Sequence, residues 1–109
     1  MSAEILIALC TCPDTSVGER IAEALVGEGL AACVNVLPGV TSVYRWQGEV
    51  QRDPEVLLVI KTVRERLAAL ISRVRTLHPY ELPEVIAFPV SDGLPDYLQW
   101  VITCTSPDT

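Results

Sequence analysis

Positive charge is scarce in this chain. Eight lysines and arginines stand against fourteen aspartates and glutamates, which gives a net charge of −6, and Lys61 is the only lysine. Proteins that bind nucleic acids neutralise phosphates with clustered lysines and arginines. Because the sequence has no such cluster and no glycine-rich phosphate loop, we expect no nucleic-acid partner and find no motif for nucleotide binding.

The chain also lacks a long apolar segment. Its longest apolar run, residues 5–10, is far shorter than the roughly 20 residues that cross a bilayer. Acidic Glu4 stands directly before that run, and no basic segment precedes it as in a secretory signal. These absences favour a cytoplasmic protein without a membrane partner, whose four cysteines are reduced thiols.

No linker or low-complexity tract divides the 109 residues, so the sequence predicts a single domain over 1–109, with a disordered tail at 105–109. Half of the residues are apolar. The mean hydropathy of +0.35 is high for a small soluble monomer. Because apolar patches beyond a few hundred Å² usually mark contact sites, we expect self-association.

Hydrophobic periodicity predicts seven elements. They are a strand over 4–11 buried on both faces, a helix with a capping box at Ser16 and Glu19 that ends before Gly29, a strand over 32–46 with a bend at Pro38 and Gly39, a strand over 55–61, a helix over 63–77, a core strand over 84–90 and a helix over 94–102. The second and third strands form a hairpin whose arm projects near Trp46. This order indicates an α+β fold of the split βαβ type, with both main helices on one side of an antiparallel sheet.

The segment 78–84, His-Pro-Tyr-Glu-Leu-Pro-Glu, joins the only histidine to two carboxylates across a stiff backbone. Pro79 disfavours the helical conformation at His78, so the preceding helix ends near Leu77. Imidazole and carboxylates held close together suit a divalent metal, a proton transfer or a polar ligand. His78 is therefore either a ligand, together with Glu84, or a cap on the carbonyls at the helix end.

Cys10 and Cys12 form a Cys-x-Cys pair in the first strand. If the strand continues through Thr11, their side chains point to the same face with Cα atoms about 7 Å apart. Two thiolates at that spacing can chelate soft Cu(I). Buried cysteines also serve as small apolar residues, which is how we interpret Cys33 and Cys104.

Four aromatic residues are candidates for a binding surface, namely Tyr44, Trp46, Tyr97 and Trp100. They either pack in the core or between subunits, or stack on a small ligand in a cleft. In the second case Lys61 and Arg45 could hold an anion. An enzyme with a cysteine nucleophile and His78 as base is disfavoured, because no oxyanion motif or third orienting group is present.

Six short segments in this order resemble the CutA divalent-cation-tolerance family across essentially the whole chain. They are LCTCPD at 9–14, LAACVN at 30–35, YRWQG at 44–48, HPY at 78–80, PE at 83–84 and DYLQW at 96–100. The chain departs from the family at two positions: Leu77 precedes His78 where some members have a second histidine, and Cys12 stands where a small non-thiol residue is common.

The resemblance implies a ferredoxin-like fold assembled as a homotrimer, with hairpin arms that pair between subunits as in PII signalling proteins. It also implies a link to copper and other divalent cations, without an organic cofactor or an enzymatic activity. The predicted ligands are Cys10, His78, Glu84 and Cys12. The alternative is a PII-like signalling or scaffold trimer that binds a small molecule or a partner protein in its intersubunit cleft.

Overall fold

A computed structural model describes residues 3–107 of the chain. Its elements are β1 (Ile5–Cys12), α1 (Thr15–Gly27), β2 (Cys33–Trp46), β3 (Glu49–Val63), α2 (Arg64–Leu77), β4 (Ile86–Pro89) and α3 (Pro95–Cys104). The four strands form one antiparallel sheet in the order β2-β3-β1-β4. This confirms the predicted α+β fold with its β-α-β-β-α-β order and additional helix.

Helices α1 and α2 cover one face of the sheet. Alternate residues of β1 face them, from Leu6 to Cys12, and are fully buried together with Leu58 and Ile60 of β3. The helices contribute Ile21, Leu25, Leu70 and Val74 to the same core. The period-two alternation of the strands and the apolar stripes of the helices thus meet in a single layer.

The opposite face of the sheet is covered only at one end. There α3 places Val101 against Ile5 and Val63 in a second, smaller apolar cluster. Further along, the remaining residues of β1 are half-buried, and no element within residues 3–107 packs over them. We call the uncovered part the open face; it carries Ile7, Leu9, Leu37, Leu57, Val59, Ile86 and Phe88.

Two expectations about the strands are wrong. β1 was predicted to be buried on both faces, but its second face is open because only one full helical layer packs on the sheet within residues 3–107. The last strand was predicted to be a core strand, yet β4 has four exposed residues and pairs only with β1 at the sheet edge. Its apolar side chains, Ile86 and Phe88, lie on the open face at 56% and 47% exposure.

The far part of the β2–β3 hairpin extends beyond β1 and β4 and forms the predicted arm. The described chain measures 46 × 25 × 22 Å. The pairing shifts between Leu37 and Val40, which confirms the bend at Pro38 and Gly39. At the tip, Gln47 and Gly48 both have positive φ, which suits a tight two-residue turn between twisted strands.

Helix α1 begins two residues earlier than a capping box with Ser16 as its N-cap requires. Asp14 is the N-cap, and its carboxylate accepts a hydrogen bond from the Val17 N–H at 2.8 Å. A carboxylate satisfies a free N–H group at a helix start and also faces the positive end of the helix dipole. At the other end Gly29 has φ +72°, which confirms the predicted glycine stop.

The first residue of the predicted tail packs against α3. The Thr105 hydroxyl is buried and donates a hydrogen bond to the Val101 carbonyl at 2.8 Å. The predicted disordered tail began at this residue, and its last part, 108–109, lies outside the described residues.

Candidate metal centre

Two thiols and the only imidazole meet at the end of β1. The Sγ atoms of Cys10 and Cys12 and a ring nitrogen of His78 all lie within 4.8 Å of one another. Within residues 3–107 this is the one group of three or more His, Cys, Asp and Glu side chains close enough to share an ion. Both cysteines are fully buried, and His78 is 7% exposed.

Local sequence rules explain this meeting point. Alternation along β1 turns both cysteines towards the helix-covered face. Helix α2 ends at Leu77, and His78 has the extended conformation that Pro79 imposes. The His78 backbone N–H donates to the Val74 carbonyl at 2.8 Å, so the residue caps the helix with its backbone while its ring reaches β1.

Both ring nitrogens of His78 have hydrogen-bond partners. Nε2 lies 2.8 Å from the Thr11 carbonyl oxygen, and Nδ1 lies 3.1 Å from the backbone nitrogen of Tyr80. Because a carbonyl only accepts and a backbone N–H only donates, Nε2 carries the hydrogen and Nδ1 accepts. The expectation that the ring itself would cap the helix carbonyls is therefore wrong, since its N–H is used by Thr11.

The two thiols differ in acidity because they share a hydrogen bond. Donation from Cys10 to Cys12 raises the pKa of Cys10, and burial raises it further. The same hydrogen bond lowers the pKa of Cys12 below its ordinary value, although burial opposes this. Cys12 is thus the thiol that loses its proton more readily.

Glu84 lies close to this group without joining it. The Thr11 hydroxyl, which points to the other face of β1 from the thiols, donates to Glu84 Oε1 at 3.4 Å. The negative charge of Glu84 contributes to the raised pKa of Cys10. Of the four predicted ligands, the structure therefore brings together Cys10, Cys12 and His78, and places Glu84 beyond Thr11.

A cleft of about 540 Å³ lies between the arm and the segment after α2. Its lining includes three aromatic rings and three carboxylates, contributed by Tyr44, Trp46, Tyr80, Glu55, Glu81 and Glu84. The Tyr44 hydroxyl donates to Asp53. The Tyr80 hydroxyl donates to Glu55 at 2.6 Å. Since both hydroxyls are used in this way, the tyrosines offer the cleft mainly their rings.

The other predicted cleft residues lie elsewhere. Lys61 is six residues along β3 from Glu55, about 20 Å for an extended strand, and its ammonium donates to the Asn35 side chain on the open face. Tyr97 and Trp100 pack against each other on α3, with ring centroids 5.5 Å apart. Among the described residues the cleft therefore has Arg45 as its only cationic lining residue, and Arg45 itself donates to the Gly48 carbonyl.

The hydrogen bond between Tyr80 and Glu55 was not predicted from the sequence. Burial and the hydrogen bond to Glu55 raise the pKa of Tyr80. The stiff segment around Pro79 did mark Tyr80 as a fixed residue. Its partner is 25 positions away on β3, and no local pattern connects the two.

Fold and site together define a small α+β protein with a candidate metal centre at the end of its central strand. A family model described as CutA1 divalent ion tolerance protein matches residues 6–104. The chain belongs to this CutA1 divalent ion tolerance family, as its sequence motifs predicted. No helix in the described range is long and apolar enough to cross a membrane.

Relatives resemble the chain over most of its length. It is 50% identical over 95 residues to the divalent-cation tolerance protein CutA of Thermus thermophilus, which covers 87% of this chain and 92% of the relative. The crystal structure of CutA1 from Oryza sativa superimposes with a TM-score of 0.94 at 42% identity, covering 97% of each chain. CutA from Archaeoglobus fulgidus, named as a periplasmic protein, gives 0.91 at 31% identity over 94% of this chain and 99% of its own.

Tyr80→Phe should make the protein less sensitive to alkali. Folding favours the neutral phenol because the pKa of Tyr80 is raised in the folded protein. The stabilisation that follows is fully present below the ordinary tyrosine pKa of about 10. It is lost as the pH rises through the pKa of Tyr80 in the folded protein. At pH 8 the variant should lose about 1 kcal/mol with its hydrogen bond to Glu55. Urea unfolding at pH 8 and pH 11 measures both effects. An equal fall in stability between these pH values for wild type and variant would contradict the assignment.

Proposed function

We propose that this chain confers cation tolerance by binding copper, or another thiophilic metal, at the group of Cys10, Cys12 and His78. The observation that carries the proposal is the approach of three potential donor atoms to within 4.8 Å in a buried place. Membership of the divalent ion tolerance family supports a role in metal handling. Sulfur and imidazole donors fit copper and other soft or borderline ions, whereas magnesium and calcium require oxygen.

The same geometry argues against a cysteine enzyme. A nucleophilic thiol needs an adjacent base with a free lone pair, oriented by a third group. The accepting nitrogen of His78 is occupied by the Tyr80 N–H, and its other nitrogen faces the Thr11 carbonyl. We therefore assign the group to ion binding without turnover.

We propose further that the open face is the subunit interface of a homotrimer. It presents apolar side chains from all four strands, interrupted by Thr11, Asn35 and Lys61, and Phe88 and Ile86 at its edge are about half exposed. Such a surface usually marks a contact site. The projecting arm is long enough to reach a neighbouring subunit, as the family resemblance implies. A cytoplasmic location belongs to the same proposal.

Copper should bind in a stoichiometry of one ion per chain, and Cys10→Ser should abolish tight binding. The variant removes one of two buried sulfurs with little change in volume, while Cys104→Ser alters a thiol outside the group and is the matched control. Equilibrium dialysis with metal analysis, with the oligomer mass recorded on the same samples, measures the effect. Binding that persists unchanged in both Cys10→Ser and His78→Ala would refute this site.

Phe88→Asp should dissociate the assembly. The substitution places a charge in the proposed apolar interface but lies at an exposed position of the isolated chain, so the subunit fold should survive. Val26→Asp introduces the same charge at a similarly exposed position on α1, on the helical side, and should leave the assembly intact. Sedimentation velocity distinguishes the species. An assembly that survives Phe88→Asp would remove the open face as the interface.

The cleft favours a second function, the binding of a small organic cation by a signalling trimer. Its volume is in the range of small-molecule sites. Three carboxylates against one arginine disfavour the anionic ligand suggested by the sequence, whereas aromatic faces next to carboxylates suit an ammonium group. The role as a signalling protein rests on the resemblance to PII proteins.

A panel of amines should separate this second function from the first. An ammonium ligand at 100 times its Kd should stabilise the protein by about 2.7 kcal/mol, and Trp46→Leu should reduce the thermal shift because it removes an aromatic wall. Cys10→Ser should leave that shift unchanged. A panel that gives no shift with amines, or a larger shift with matched carboxylates, would count against the cation site.

A further inference from the structure

We infer that the metal centre is a two-coordinate site, in which Cys10 and Cys12 alone hold monovalent copper between their sulfurs, with His78 as a positioning residue. This inference rests on the proposed function and specifies its ligand set and its ion. The geometry of β1 and the hydrogen bonds of His78 carry it independently of each other.

The sulfur geometry suits an ion that sits between the two cysteines. Metal–thiolate bonds are about 2.3 Å long, so two sulfurs bound to one ion lie at most about 4.6 Å apart, and closer when the two bonds form an angle. The two Sγ atoms are no more than 4.8 Å apart. Because both side chains leave the same face of one strand, an ion can reach both sulfurs with little movement of the backbone.

The imidazole of His78 is less available to bind an ion than the two thiols are. Ligation through Nδ1 would release the Tyr80 N–H, and ligation through Nε2 would expel the hydrogen that binds the Thr11 carbonyl. Either change leaves a partly buried backbone group without its partner, which is costly. The polar contacts of the thiols are weaker: the Cys10 thiol donates to the Thr11 carbonyl over a long 3.7 Å, and the two thiols interact with each other.

The number and type of free donors then select the ion. Zinc in structural sites takes four ligands, usually as a tetrahedron. The described residues offer two thiols, one committed imidazole and no carboxylate within the group. Two sulfurs without further donors suit a soft ion that accepts low coordination, and thiolate ligands select Cu(I).

His78 has a different task in this arrangement. Its Nε2–H holds the carbonyl of Thr11, the residue between the two cysteines, at 2.8 Å. This bond fixes the peptide that sets the distance between the sulfurs. Supporting hydrogen bonds of this kind typically change metal affinity by about 10- to 100-fold.

An anaerobic titration with Cu(I) against a competing Cu(I) chelator tests the inference, with X-ray absorption on the loaded wild-type protein to count sulfur and nitrogen neighbours. We expect two sulfurs and no nitrogen. Cys12→Ser should weaken Cu(I) binding by more than 100-fold, because one sulfur remains. His78→Ala should weaken it by about 10-fold and keep the two-sulfur shell, and Cys104→Ser should leave binding unchanged.

The outcomes separate this inference from the proposed function. A shell that contains an imidazole nitrogen, or equal losses of affinity in His78→Ala and Cys12→Ser, would overturn the two-thiol site and leave copper binding intact. Tighter binding of zinc than of Cu(I) would overturn the choice of ion. Absence of tight binding for every metal would refute the proposed function and the inference together. The absorption measurement needs only wild-type protein, so a variant that fails to fold leaves the test decisive.

Discussion

A strand that is paired on both sides has no freedom in the direction of its side chains, and β1 is such a strand. Hydrogen bonds to β3 and β4 fix its register, so every second residue must face the helices. The same constraint that places Leu6 and Ala8 in the core also places the thiols of Cys10 and Cys12 on that face, at the end of the strand. The candidate metal centre is thus a continuation of the hydrophobic core in which sulfur replaces hydrocarbon.

The one-sided helical layer has the opposite consequence for the other face. With α1 and α2 on one side and α3 over one end only, the apolar residues that alternate with the core have no cover within the described chain. The fold therefore leaves an uncovered apolar surface as a direct result of its topology. The site at the end of β1 and the cleft beside the arm lie on either side of Thr11, whose backbone contacts His78 and whose side chain contacts Glu84.

Much of this architecture could be predicted from sequence. The order of elements, the bend at Pro38, the end of α2 before His78 and the stop at Gly29 follow from local rules, and the motifs identified the family. The errors have a common origin. Whether β1 is buried on one face or two, and whether the last strand is central or at the edge, depends on how many layers pack on the sheet, which hydrophobic periodicity does not report. Similarly, Lys61 and Trp46 are both hairpin residues, yet strand length separates them too far for one cleft.

The sequence by itself determined which residues share a face and where the helices end, because alternation along a strand and the backbone restriction before proline act between near neighbours. It therefore predicted that Cys10 and Cys12 point the same way and that His78 follows a helix end. Only the tertiary structure decided that these features meet. The hydrogen bond from His78 to the Thr11 carbonyl joins residues 67 positions apart, and this long-range contact engages the imidazole beside the two sulfurs.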